Sequence, residues 1–170
     1  MLTTTSLALL GACAPDPGPE SFVLDAHTTL VVQLAGVEAR RTEESRVAYT
    51  LGDQVHVAMQ RIDREGALPP DERTPTTVAE ALVRRVELGD AEGELRIVPC
   101  AVPTSSAWSG TATCVGGWTA IDGTRFARTG SIFQVGQRIV WLDASGPDGR
   151  EVALSEIATS ALRSMRRADG

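Results

Sequence analysis

The chain reads as an α+β protein: an antiparallel β-sheet with two helices packed on it, in an α/β/α sandwich. Three observations point there. Apolar and polar residues alternate at period two in several short stretches, most clearly over 54–62 and 137–144. Asp122-Gly123 sits between two such stretches and is a strong hairpin signal. Two further stretches place apolar residues at helical spacing, one after the first strands and one at the end. Strands in runs, not in strict alternation with helices, give an antiparallel sheet.

In chain order, Leu24–Ala35 is apolar and β-branched, with Leu30, Val32 and Leu34 alternating against Val31 and Gln33, and predicts a strand. Arg46–Leu51 and Gln54–Ile62 flank Gly52-Asp53 and predict a hairpin. Val55, Val57 and Met59 take one side of it, and His56, Ala58 and Gln60 the other. Arg64–Pro75 is a proline-bearing loop. Thr77 and Glu80 form a capping box, followed by the stripe Ala79, Leu82, Val83 and Val86, and Gly89 ends this helix. Glu94–Val102 predicts a strand. Trp118–Ile121, Thr124–Thr129, Ser131–Gln134 and Gln137–Ala144 form a meander with turns at Asp122-Gly123 and Val135-Gly136. After a turn at Ser145–Gly149, Val152–Leu154 reads as a short extended piece. Ser155 then caps a closing helix whose apolar face is Ile157, Ala158, Ala161, Leu162 and Met165. Arg163, Arg166 and Arg167 fall in its last turn, where cations suit the negative end of the dipole.

The chain has 170 residues, 42% of them hydrophobic and 22% charged, which suits one globular domain. All 16 basic residues are arginine, and Lys and Asn are absent, as a high-GC genome would produce. The net charge is −6, and Arg is interleaved with Asp and Glu. A nucleic-acid partner needs a concentrated basic face to displace phosphate counterions, so none is expected. Broad adhesion to anionic lipid is disfavoured on the same ground.

Leu7–Leu10 is a short apolar core followed by Gly11, Ala12 and Cys13. A Leu-Gly-Ala-Cys run resembles the lipobox of bacterial lipoproteins. That resemblance implies an export signal over 1–12, with a diacylglycerol thioether on Cys13. Residues 13–20 contain three prolines and suit an extended tether. The remainder, 21–170, reads as a single α+β domain. No Lys or Arg lies in Met1–Ser6, so whether Met1 is the true start stays open. The expected place is the bacterial cell envelope, facing the periplasm or exterior and joined to the membrane by lipid. Ala14 is not the Asp of inner-membrane retention, which favours the outer membrane where a cell has two.

Cys100 and Cys114 would pair in an oxidising envelope and staple the Ser/Thr/Gly/Pro-rich segment between them. Two cysteines with no nearby histidine do not complete a zinc site, and their spacing is far from Cys-x-x-Cys. His27 and His56 belong to no metal-spaced cluster. Ser109 lacks the glycine of a nucleophile elbow. Asp143, Ser145 and Asp148 fail the spacing of a calcium loop. No metal or cofactor is expected. Of three tryptophans, Trp141 reads as core and Trp118 stands beside Gly116-Gly117. Trp108, among small polar residues of the stapled loop, has two readings: a cap on the core beneath that loop, or an exposed anchor for a partner, the role the binding expectation below assigns to it.

The order of elements resembles the PsbP-like fold, shared by photosystem extrinsic subunits, the Ran-binding protein Mog and small envelope lipoproteins. The closest likeness is the run Arg138–Leu142 followed by Ile157–Leu162, with its Ser-Ala-Leu step at Ser160–Leu162. The resemblance implies a sandwich that binds or assists a partner without catalysis, and it carries over no site residue. The expectation is a non-catalytic envelope lipoprotein that binds a protein partner or a small ligand. The alternatives are a hydrolase assembled from distant residues, with His27 or His56 as base, and a structural spacer.

Overall fold

The computed structural model describes residues 18–62, 69, 72–89, 92–100 and 105–169. Its elements are β1 (Gly18–Val23), β2 (Thr28–Leu34), β3 (Val37–Glu43), β4 (Arg46–Leu51), β5 (Val55–Arg61), α1 (Pro75–Glu87), β6 (Gly93–Val98), β7 (Ser109–Ile121), β8 (Thr124–Val135), β9 (Arg138–Pro147), α2 (Glu151–Ser164) and β10 (Arg166–Asp169). The strands form two antiparallel sheets. The larger runs β3-β4-β5-β9-β8-β7-β6 and the smaller β1-β2-β10.

Alternation along the central strand β9 divides the core. Val140, Leu142 and Ala144 enter a large core with α2 and the small sheet, including Leu30, Val32, Tyr49 and Leu162. Ile139 and Trp141 point the other way, into a smaller core with Leu95, Val115 and Ile132 under α1. A central strand covered on both faces needs apolar residues in both phases, and β9 has them. Helix α1 packs over β6, β7 and β8, and α2 over β8, β9 and β2. This is the expected α+β class, with the sheet in two parts.

Several element boundaries differ from expectation. The stretch 24–35 is divided by a turn at Asp25–His27, where Leu24 N–H donates to Thr28 O at 2.9 Å. Strand β1 begins at Gly18 and pairs with β2, so the last three residues of the predicted tether lie in the small sheet. Strand β3 was not anticipated, because Arg40, Arg41 and Glu43 give it the charged surface of an edge strand. Helix α1 starts at Pro75, not after Thr77: Thr74 is the cap and Thr77 its reciprocal partner, with Thr74 N–H donating to Thr77 Oγ1 at 2.9 Å. Pro75 fits the first helical position because its missing N–H would be unpaired there. Val152–Leu154 is helical, and Ser155 is not the cap. α2 opens after Arg150, with Glu151 already in its first turn. Met165 turns extended, so Arg166 and Arg167 leave the helix and pair with Val31 and Leu30 of β2.

Candidate functional site: an arginine-lined cleft

The hairpin joining β8 to β9 closes one end of the large sheet. The β1–β2 turn, β10 and the approach to α1 meet it there. Between them lies a hollow of about 680 Å³, lined by Asp25, Thr28, Arg73, Gln137, Arg138 and Arg167, among others. Each cation comes from a different element: Arg73 precedes the cap of α1, Arg138 opens β9, and Arg167 lies opposite Leu30 across β10–β2. Asp25 is fixed by the tight turn it starts, accepting the His27 backbone N–H at 2.9 Å. That hydrogen bond holds its carboxyl below the ordinary carboxylate range, and Arg138 adds a smaller pull in the same direction. Gln134 donates to Gly136 O at 2.9 Å and braces the hairpin. Arg73, Arg138 and Arg167 each already have a partner within the structure, so they border the hollow as fixed parts of its wall.

Cys100 and Cys114 are joined as a disulfide, with Cα atoms 5.3 Å apart. It links the segment after β6 to β7, where Cys114 is paired with Ser131 of β8. Of the two readings of Trp108, the structure shows the core cap and not the exposed anchor. It is 9% exposed and packs on Phe133 with ring centroids 5.0 Å apart. Ser105 explains the inward turn: its hydroxyl donates to Met165 O at 3.3 Å and accepts from Ala107 N–H at 3.0 Å, tying this segment to the end of α2. Trp118 is the half-buried tryptophan, and the Arg125 guanidinium stacks 4.1 Å from its ring centroid.

Asp143 is buried on β9 in phase with Ile139 and Trp141, where it ion-pairs with Arg128 of β8. The Arg128 guanidinium also lies 5.0 Å from the Trp141 ring centroid. A charge at a core phase of an apolar strand was the signal in the sequence, since a buried carboxylate needs a partner. His27 and His56 are exposed, and His56 Nδ1 meets the Thr50 hydroxyl at 3.3 Å. Among the described residues there is no group of three metal-ligating side chains and no helix long and apolar enough to cross a membrane. Cys13 and the signal over 1–12 lie outside the described residues.

Neither a family model nor a curated protein matches the chain. Solved structures do. The solution structure of cyanobacterial PsbP from Synechocystis aligns over 96% of this chain and 98% of its own, at 10% identity and a TM-score of 0.51. A protein of unknown function from Pseudomonas aeruginosa aligns over 84% of this chain and 94% of its own, at 11% identity and a TM-score of 0.49. LpqN, described as involved in cell envelope biogenesis of Mycobacterium tuberculosis, aligns over 89% of this chain and 85% of its own, at 11% identity and a TM-score of 0.36. At such identity the likeness to the Synechocystis protein is one of architecture: two helices on antiparallel sheet, in a PsbP-like fold.

Proposed function

We propose that the protein is an envelope-anchored, non-catalytic lipoprotein that holds a partner protein or a small ligand in the arginine-lined cleft. The observation that carries the binding role is the cleft itself. It is concave, it is built by turns and strand ends from both sheets, and Arg73, Arg138 and Arg167 border it. Its size lies within the ~300–1,000 Å³ common for small-molecule sites. The anchoring role rests on Leu10-Gly11-Ala12-Cys13. The Cys100–Cys114 bond suits an oxidising compartment. Trp108, buried and packed on Phe133, offers a partner no anchor, which leaves the cleft as the binding surface in this reading.

Two measurements on the full chain in its own cell test this. Metabolic labelling with an alkyne fatty acid is expected to mark the protein and to be lost in Cys13→Ser. An unlabelled wild-type chain overturns the anchor. A photo-crosslinker at Gln137 is expected to give one defined adduct that is absent when the crosslinker sits at Glu156, on the exposed side of α2. A lipidated, folded protein with no adduct from Gln137 overturns the binding role and favours a spacer.

A further inference from the structure

We infer that β6 is a docking edge for a second copy of this chain, the two β6 strands pairing antiparallel about a two-fold axis at Leu95. Strand β6 ends the large sheet, so among the described residues one of its sides has no neighbouring strand. The opposite edge strand, β3, carries guards that keep an edge from pairing. Its side chains are exposed from Glu38 to Glu43, and its register is irregular between Val37 and Ala39. By contrast, β6 pairs with β7 in unbroken register, contains no proline and presents Ile97 at 44% exposure. None of the described cleft-lining residues belongs to β6, so this contact stands apart from the cleft.

Hydrogen-bond phase fixes which backbone groups face the open side. Ala120 N–H donates to Glu92 O at 2.8 Å, one step beyond the Gly93–Thr119 pair of the β6–β7 register. In an antiparallel ladder, hydrogen-bonded positions alternate with non-bonded ones. Glu94, Arg96 and Val98 therefore turn their backbone groups towards β7, and Gly93, Leu95 and Ile97 turn theirs to the open edge. A second β6 has to match outward residues to outward residues, which leaves registers centred on Glu94, Leu95 or Arg96. Centring on Glu94 sets two carboxylates against each other, and centring on Arg96 sets two guanidiniums against each other. Like charges directly opposite are destabilising. Centring on Leu95 instead sets Glu94 of each copy against the partner's Arg96. These are non-hydrogen-bonded pairs of the new ladder, where Cα atoms approach to ~4.5 Å. Glu94 and Arg96 are both exposed, and neither forms an ion pair with another described residue. The same register lays Ile97 over the partner's Gly93, where no side chain obstructs it, and puts the two Leu95 backbones in reciprocal hydrogen bonding at the axis.

The test is sedimentation equilibrium of the full chain in an excess of detergent micelles. A strand edge of this length is a small contact, so association is expected on the order of 10–100 µM. Ile97→Pro should abolish it, because the N–H lost there faces outward and the β6–β7 ladder keeps its bonds. Arg96→Glu sets carboxylate against carboxylate and should weaken association by about tenfold or more, and Glu94→Arg should do the same with guanidiniums. The double variant Glu94→Arg, Arg96→Glu restores opposite charges and should recover association, as should an equimolar mixture of the two single variants. Both charge positions are exposed, so these exchanges keep the test available if Ile97→Pro fails to fold. A wild-type chain that stays monomeric up to about 1 mM overturns the inference. So does a dimer that survives Ile97→Pro in a folded chain, and so does a loss that charge exchange fails to recover. In cells, a photo-crosslinker at Glu92, which this register sets opposite the partner's Val98, is expected to give an adduct of twice the chain mass. An adduct with a different protein in its place overturns the second copy and assigns the edge to a foreign strand.

Discussion

Tyr49 is fully buried in the larger core, yet its hydroxyl reaches Ser21 O at 3.1 Å and so ties β4 of the large sheet to β1 of the small one. Burial withholds water from a phenolate and pushes the pKa from 10.0 up to about 12, while Arg40, 5.9 Å from the ring centroid, offsets part of the rise. The folded value lies above the unfolded one. The stability linked to this proton is therefore fully present below pH 10 and is lost as pH rises from 10 towards about 12. Tyr49 is the single tyrosine of the chain, so tyrosinate absorbance reports on it alone. Half-titration is expected near pH 12, or else together with loss of structure by circular dichroism. Half-titration near pH 10 in a chain still folded would refute the account. Residues of this kind differ in how far the sequence discloses them. Asp143 stands in the core phase of β9, and that alone demands a partner. The partner's identity depends on the β8–β9 register that sets Gly130 opposite Asp143 and Arg128 two residues away. Trp108 is ambiguous in sequence because its neighbours there are small and polar, whereas its neighbour in space is Phe133. The cleft is hidden for the same reason: nothing in the spacing of Arg73, Arg138 and Arg167 announces that they converge.

Elements with strong local rules were legible. Asp122-Gly123 forms its hairpin, with positive φ at both residues (51° and 74°), as a primed turn requires. The alternation of Val55, Val57 and Met59 sends all three into one core. Elements whose identity is settled by contact were not legible. β3 is an edge strand made of charged residues, and β10 is four residues long and exists through its pairing with β2. Gly116-Gly117 marks a close approach of this kind between β6 and β7. Gly117 takes φ +149° opposite Leu95, and a Cβ there would run into the carbonyl oxygen of Glu94. Gly117→Ala should therefore force β6 away from β7 and loosen α1, which packs on both. A loss of about 2 kcal/mol or more is expected from backbone strain and collision combined. Gly36→Ala supplies the comparison: its φ is +68°, but a Cβ would meet nothing within 4 Å. Urea midpoints at equal slope measure both. A loss at Gly117 no greater than at Gly36 would show that the sheet accommodates the methyl group, and the close approach would then not constrain the pair.

At the scale of the whole molecule, two cores lie on opposite faces of one long sheet, and the central strands carry apolar residues in both phases. Outer regions depend on other ties. The segment leading into β7 is held by Ser105 against the end of α2, by Trp108 against Phe133, and by the disulfide from Cys100 to Cys114. Because most residues of both cores come from other elements, with only Ala107 and Trp108 entering from this segment, loss of the disulfide should lower stability without abolishing the fold. The bond closes a loop with a sequence separation of 14. Constraint of the unfolded chain by a loop of that size stabilises by about 3 kcal/mol in the chain-entropy model. For a domain of this length that corresponds to a fall in Tm on the order of 10 °C. The double variant Cys100→Ser, Cys114→Ser is expected to show that fall while retaining its far-ultraviolet circular dichroism. In a Trp118→Phe, Trp141→Phe background, fluorescence comes from Trp108 alone. Its emission should shift to the red and become more quenchable by acrylamide as the segment loosens. An unchanged midpoint with unchanged Trp108 emission would mean that Ser105 and the Phe133 contact hold the segment by themselves. The fold would then gain nothing from an oxidising compartment, and the disulfide would cease to support the envelope reading.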